Sequence, residues 1–260
     1  MCSLLLKVIK MNKIVILLST LTIMSCAPEF YSPNRINIPE LKHKKDLRIT
    51  AAKGYLGFEA QMAYAITNKI GLITNYANYV DGEDSEGFDG GNGSGLEFGT
   101  GYFTSKENFI FENYASIGFG SFYNRAKFIS PIDKDDDGKI DSDFTKISIQ
   151  SSLTYQSKYF SISSAVRYTN LTYNNIEGNY TYLSYNLGNH LRGNPVHNFI
   201  EPALQLGCGY KNIRLNLQYQ RSFHLGADNY YFYNNYNYSA GIQLSFPSIK
   251  TKRKDEVKAF

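Results

Sequence analysis

The chain has 260 residues, enough for one large domain or two small ones. Its formal net charge of +4 is too mild for a protein that works by neutralising phosphates, so no nucleic-acid partner is expected. Hydrophobic residues make up 43% of it, yet beyond the N-terminus no apolar run approaches the roughly 20 residues of a membrane-spanning helix.

The first 25 residues read as an export signal. From Met11, "MNKIVILLSTLTIMSC" has a Lys-bearing start, a short apolar core and small residues before Cys26. Met11 is a better start than Met1, because "MCSLLLKVIK" adds two lysines that interrupt the pattern. Ile23-Met24-Ser25-Cys26 resembles the lipobox of bacterial lipoproteins. That resemblance implies cleavage before Cys26 and transfer of a diacylglycerol to its sulfur, followed by palmitate; the alternative is an ordinary secretory signal that contains a Cys. With Cys2 removed and Cys26 lipidated, Cys208 has no partner and no disulfide framework follows. Residues 26–46 carry three prolines and the basic run Lys42, His43, Lys44 and Lys45 without periodicity, and read as an irregular tether. The run either lies against anionic head groups or is solvated.

From Leu47 to Phe246 the pattern is alternation of period two. In 58–66, Phe58, Ala60, Met62, Tyr64 and Ile66 oppose Glu59, Gln61, Ala63 and Ala65. In 145–155, Ile147, Ile149, Leu153 and Tyr155 oppose Lys146, Ser148, Gln150, Ser152 and Thr154. The same holds at 96–103, 109–120, 159–172, 198–210, 213–222 and 236–246, and more weakly at 47–53 and 70–79. Tight turns at "TNK", "SKEN", "QSK" and "YKN" alternate with long polar loops near 80–94, 125–143, 174–197 and 224–235. This predicts an all-β fold, an antiparallel transmembrane barrel of about ten strands with short periplasmic turns and long outer loops. Two aromatic bands agree with it. Tyr64, Tyr102, Phe103, Phe109, Tyr155, Tyr159, Phe160 and Tyr210 sit near the short turns; Tyr76, Tyr123, Tyr168, Phe199 and Tyr219 sit near the other strand ends.

"YSAGIQLSF" resembles the β-signal read by the barrel-assembly machinery, with Gly241, Leu244 and Phe246 in the matching places. Residues 247–260 follow as a polar, basic tail expected in the periplasm, so the match is internal. Taken with the lipobox, "SPNRINIPEL", "GFEAQMAYAITNKIGL" and "FIEPALQLGCGYKNIRLNLQYQ" make the chain similar to a family of outer-membrane β-barrel lipoproteins of Bacteroidota. The resemblance implies a location in outer-membrane lipid with an N-terminal lipid anchor, and no particular chemistry.

Alternation turns Arg48, Glu59, Gln61, Glu97, Glu112, Lys146, Gln150, Arg167, Glu201, Gln205, Arg214 and Gln218 into the lumen. Four acids and four bases there are expected to neutralise one another, because lone charges in a narrow lumen are costly. The set reads as a polar plug or as the lining of a narrow transport pore. A rim hydrolase would need a His held by a carboxylate; His197 with Glu201 and His224 with Asp228 are the nearest pairs, and no catalytic residue is assigned. "DKDDDGKIDSD" matches the first half of a calcium loop, with Asp133, Asp135 and Asp137 ahead of Gly138, but Phe144 stands where a bidentate Glu belongs. Asp141 is the fourth candidate ligand, so Ca2+ in an outer loop is one expectation and a solvated acidic loop the other; no cofactor is required. "GEDSEGFDGGNGSG" reads as a mobile acidic loop, and the Tyr- and Asn-rich loops either bind a glycan or protein at the surface or pack on one another. The lipobox yields a direct prediction: a palmitate analogue marks the wild type and not Cys26→Ala, and label surviving the substitution rules the anchor out.

Overall fold

The computed structural model describes residues 30–55, 57–81, 90–127, 137–178, 181–182, 185–226 and 231–247. Its elements in chain order are β1 (Leu47–Gly54), β2 (Gly57–Ala65), β3 (Ile70–Asp81), β4 (Gly90–Lys106), β5 (Phe109–Lys127), β6 (Asp137–Gln156) and β7 (Phe160–Glu177). Then come β8 (Thr181–Tyr182), β9 (Tyr185–Asn186), the helix α1 (Leu187–Gly193), β10 (Val196–Tyr210), β11 (Ile213–Arg221), β12 (Phe223–His224) and β13 (Tyr236–Phe246). Ten strands form a closed antiparallel barrel: β13 pairs with β1, each strand pairs with the next through β7 and β10, and β10 pairs with β11, which returns to β13. Closure removes the sheet edge, so every strand finds a backbone partner inside the sheet, as a lipid environment demands. Among the described residues no helix is long and apolar enough to cross a membrane, which says nothing of a β-barrel.

The period-two pattern explains which side each residue takes. Phe58, Met62, Leu96, Phe98, Ile117, Phe119, Ile147, Ile149, Leu217 and Ile242 all project outward and are exposed. Their neighbours Glu59, Gln61, Glu97, Lys146, Gln150, Gln218 and Gln243 are buried inside. Rings mark the two rims: Tyr159 stacks near Tyr210 at the short-turn rim, and Tyr219 meets Tyr238 toward the other. Two members of the expected bands lie elsewhere. Phe103 and Phe199 are fully buried on the inner side, because each occupies an inward position of its strand.

Strand length also departs from expectation. β4, β5, β6 and β7 contain 17, 19, 20 and 18 residues, against 8 to 11 in β1, β2, β11 and β13. Twenty residues span roughly 65 Å at about 3.3 Å each, so this wall rises well past a hydrocarbon core of about 30 Å. The extensions come from stretches expected to be loops. Gly90–Gly95 pairs with Arg125–Gly120, and Asp137–Asp143 pairs with Lys127–Ser121. Glycines belong there for a packing reason. A Cβ on Gly120 would sit 2.4 Å from the Phe144 ring and one on Gly95 3.2 Å from it, so the bare backbone lets that ring lie across the inner wall.

Three buried apolar clusters stack along the barrel interior, and each contains residues from the segment before β1. At the long-loop mouth Phe30 and Tyr31 pack with Tyr173, Phe199, Tyr231 and the α1 residues Leu187 and Leu191. Ile36 and Ile38 pack on Ala165 and Ala203 at mid-barrel. Leu41 closes the short-turn end with Ile73, Phe103 and Tyr114. The outward band predicts the response to charge. Ile149→Arg, near the middle of β6, should lower the unfolding free energy in lipid vesicles by about 2–4 kcal/mol. No change in a urea titration would mean that Ile149 does not face lipid.

Candidate functional site: the threaded lumen

Residues 30–46 form no helix or strand of their own. Pro33 and Pro39 lack an N–H, and Glu40 and Lys45 take positive φ of 59° and 69°, so a continuous ladder is impossible. Yet from Tyr31 to Leu41 nearly every residue is buried, because the segment runs down the barrel axis. An irregular backbone at membrane depth must be satisfied by protein groups. Lumen side chains supply them.

The Arg35 N–H donates to Glu59 Oε2 at 2.7 Å, and the Glu40 and Leu41 N–H groups both donate to the Glu112 carboxylate at 3.1 Å. Gln218 takes both polar groups of one peptide residue: its Oε1 accepts from Ile36 N at 2.9 Å and its Nε2 donates to Ile36 O at 3.0 Å. Gln61 Nε2 donates to Arg35 O, Gln150 Nε2 to Asn37 O and Arg167 Nη2 to Asn34 O, at 2.9, 2.7 and 2.8 Å. Inward amides and carboxylates act as the partner strand that the segment lacks.

The side chains of the segment complete the fit. Arg35 donates to Ser239 at 2.8 Å and Gln205 at 2.6 Å, and Asn37 donates to Asn75 at 2.7 Å. Tyr31 OH donates to Glu201 at 2.8 Å, and Lys146 Nζ donates to Asn34 Oδ1 and to Glu97. Near the short turns Glu40 receives Arg214 at 2.7 Å, Ser161 at 2.9 Å and the Gln156 amide.

The lumen charges therefore do not pair among the strands alone. Lys146 meets Glu97, and Arg167 meets Glu201 at 2.6 Å. Arg214 pairs with Glu40 and Arg48 lies 3.6 Å from Asp46, both acids belonging to the entering segment. Glu59 and Glu112 accept its backbone N–H groups instead. Mutual neutralisation of four strand acids by four strand bases is thus corrected: half the set addresses a chain that was expected outside. The overlooked signal was the amides. Gln61, Gln150, Gln205 and Gln218 face inward, and a Gln that offers a donor and an acceptor together matches a peptide group.

A cavity of about 70 Å³ remains beside the segment near the long-loop mouth, lined by Phe30, Asn34, Tyr79, Phe122 and Lys146 among others. A cavity of that size has room for a few waters. At the same mouth His197 is buried, with Nδ1 3.2 Å from His224 Nε2 and its ring stacked on Tyr231 at 3.6 Å. Glu201 does not serve His197: Tyr31 and Ser222 donate to its Oε1, and Arg167 and Thr169 donate to its Oε2. Tyr231 is itself buried and shares a 2.6 Å hydrogen bond with Tyr173, so this loop tyrosine packs inward.

Other expected residues are not among those that line the described lumen. Cys26, Asp133, Asp135 and Asp228 fall outside the described residues. Asp137 opens β6, and Asp141 lies four residues along that strand, opposite Tyr123, rather than in a loop that begins its strand at Phe144. Among the described residues no three His, Cys, Asp or Glu side chains converge as metal ligands. Gly241, Leu244 and Phe246 lie on β13 where it pairs with β1, and Cys208 is exposed on the outer face.

No family model matches the chain, and no curated protein matches it. Several solved structures are similar to it in fold. The outer membrane protease OmpT from Escherichia coli is 11% identical over 78% of this chain and 94% of that one, with a TM-score of 0.43. The translocator domain of the autotransporter NalP from Neisseria meningitidis is 8% identical over 81% and 91%, with a TM-score of 0.42. The KdgM porin is 13% identical over 78% and 99%, with a TM-score of 0.34. At these identities no residue of theirs is carried over to this chain.

The buried pair gives a testable consequence. Glu201→Ala leaves Arg167 without its ion pair in a dry lumen and should cost about 3–5 kcal/mol. Tyr31→Phe removes one neutral donor to the same carboxylate and should cost about 1 kcal/mol. Equal effects in denaturant titrations would show that Glu201 is not buried as described.

Proposed function

We propose that this protein is a lipid-anchored outer-membrane barrel without enzymatic activity, sealed by its own N-terminal segment. It holds a fixed set of long loops at the cell surface, where a glycan or protein partner meets them. The outward apolar band supports a membrane setting, and the lipobox-like residues before Cys26 support the anchor. The tall wall of β4 to β7 supports the surface role, because it lifts the long-loop rim above the lipid.

The occupied lumen carries the reading. A transport pore needs a continuous aqueous path, and residues 31–41 take that path with hydrogen bonds at both backbone and side chains. A ten-stranded barrel also lies well below the roughly 16 to 18 strands that leave a wide aqueous channel. A rim hydrolase built on His197 and Glu201 would need that carboxylate on the imidazole, and the four donors to Glu201 hold it in the lumen network instead.

Conductance tests the proposal. The refolded wild type should be silent in planar bilayers. A variant with residues 34–40 replaced by Gly and Ser in equal number loses the lumen contacts and should open discrete steps. Stable conductance from the wild type would refute the sealed barrel and favour a narrow pore.

A further inference from the structure

The direction of the threaded segment has a consequence for the N-terminus. Near the long loops, Phe30 N–H donates to Phe232 O at 2.9 Å, Asn234 N–H to Tyr31 O at 2.8 Å and Tyr173 OH to Phe30 O at 2.7 Å. Near the short turns, Lys45 N–H donates to Ala65 O at 2.7 Å, Ala65 N–H to Asp46 O at 2.9 Å and Lys44 N–H to Asn68 Oδ1 at 3.0 Å. The chain therefore enters at the long-loop mouth, descends the axis and turns into β1 at the short-turn rim. Phe30, the first described residue, stands at the long-loop mouth.

We infer that the barrel carries its own N-terminal end across the membrane and presents it on the outer face. This rests on the reading that the long loops face outside. Cys26 stands four residues before Phe30, and four residues reach at most roughly 14 Å. The lumen path from Phe30 to Leu41 is twelve residues long and is filled by that segment, so Cys26 cannot return to the short-turn rim. A diacylglycerol on its sulfur enters the outer leaflet on the side of the short strands β1, β2 and β13, where the wall is low, instead of the inner leaflet that faces the periplasm. The barrel also has to close around the segment: a diacylated end does not pass a lumen that Tyr31–Leu41 fills as buried chain. Closure of β11 and β13 on β1 with residues 30–46 already inside satisfies both conditions.

Three epitope tags in separate full-length variants test this on cells: between Pro28 and Glu29, between Ser85 and Glu86, and after Phe260. Antibody should reach the first two on intact cells, and the third only after the outer membrane is opened. If the 85/86 tag is reached and the 28/29 tag is not, the inference falls while the orientation stands. If only the tag after Phe260 is reached, the orientation fails and outer presentation falls with it. Heat-modifiable migration checks that each variant is folded. A smaller change avoids the insertion: Glu29→Cys in a Cys208→Ser background should react with a membrane-impermeant maleimide on intact cells as fully as on opened ones. Labelling of Glu29→Cys only after opening overturns the inference.

Discussion

A peptide chain inside a membrane barrel has no water to satisfy its N–H and C=O groups, and every missing hydrogen bond there costs several kcal/mol. The structure depends on how that constraint is met between residues 30 and 41. Glu59, Glu112, Gln61, Gln150 and Gln218 each give a carboxylate or amide to the segment's backbone. Because these five residues come from β2, β5, β6 and β11, the segment ties distant staves of the barrel together. Ion pairs to Glu40 and Asp46 fix its lower end, and the aromatic cluster around Phe30 and Tyr31 fixes its upper end.

Much of the barrel was legible because its signal is local. A residue's side of the wall follows from the parity of its position, so Glu59 and Lys146 could be sent inward without knowledge of any partner. Ten strands and their short turns follow from the same rule. The strand tops were less legible. "GGNGSG" and "DGKIDSD" look like loops by composition, yet glycines there face the Phe144 ring or a close neighbouring strand, a reason visible only in three dimensions.

The threaded segment was illegible for a different reason. Its partners lie far away in sequence: Ile36 and Gln218 are 182 positions apart, and Asn37 and Gln150 are 113 apart. Pro33 and Pro39 erase any periodicity, so the stretch resembles a linker. The lumen list held half of the answer, since four bases and four acids balance on paper while Glu59 and Glu112 face no strand base in ion-pair contact among the described residues. The histidines show the reverse case. His197 and Glu201 share an inward face of β10, but Arg167 on the adjacent strand reaches the carboxylate first.

The threaded lumen is the central claim, and hydrogen exchange of the folded protein in detergent tests it most directly. If the segment is held as described, the amides of Arg35, Ile36, Glu40 and Leu41 exchange as slowly as those of the strands around them, although they belong to no helix or strand. Exchange of the peptide covering residues 34–41 at the rate of an unstructured chain, with the strands still protected, would contradict the account.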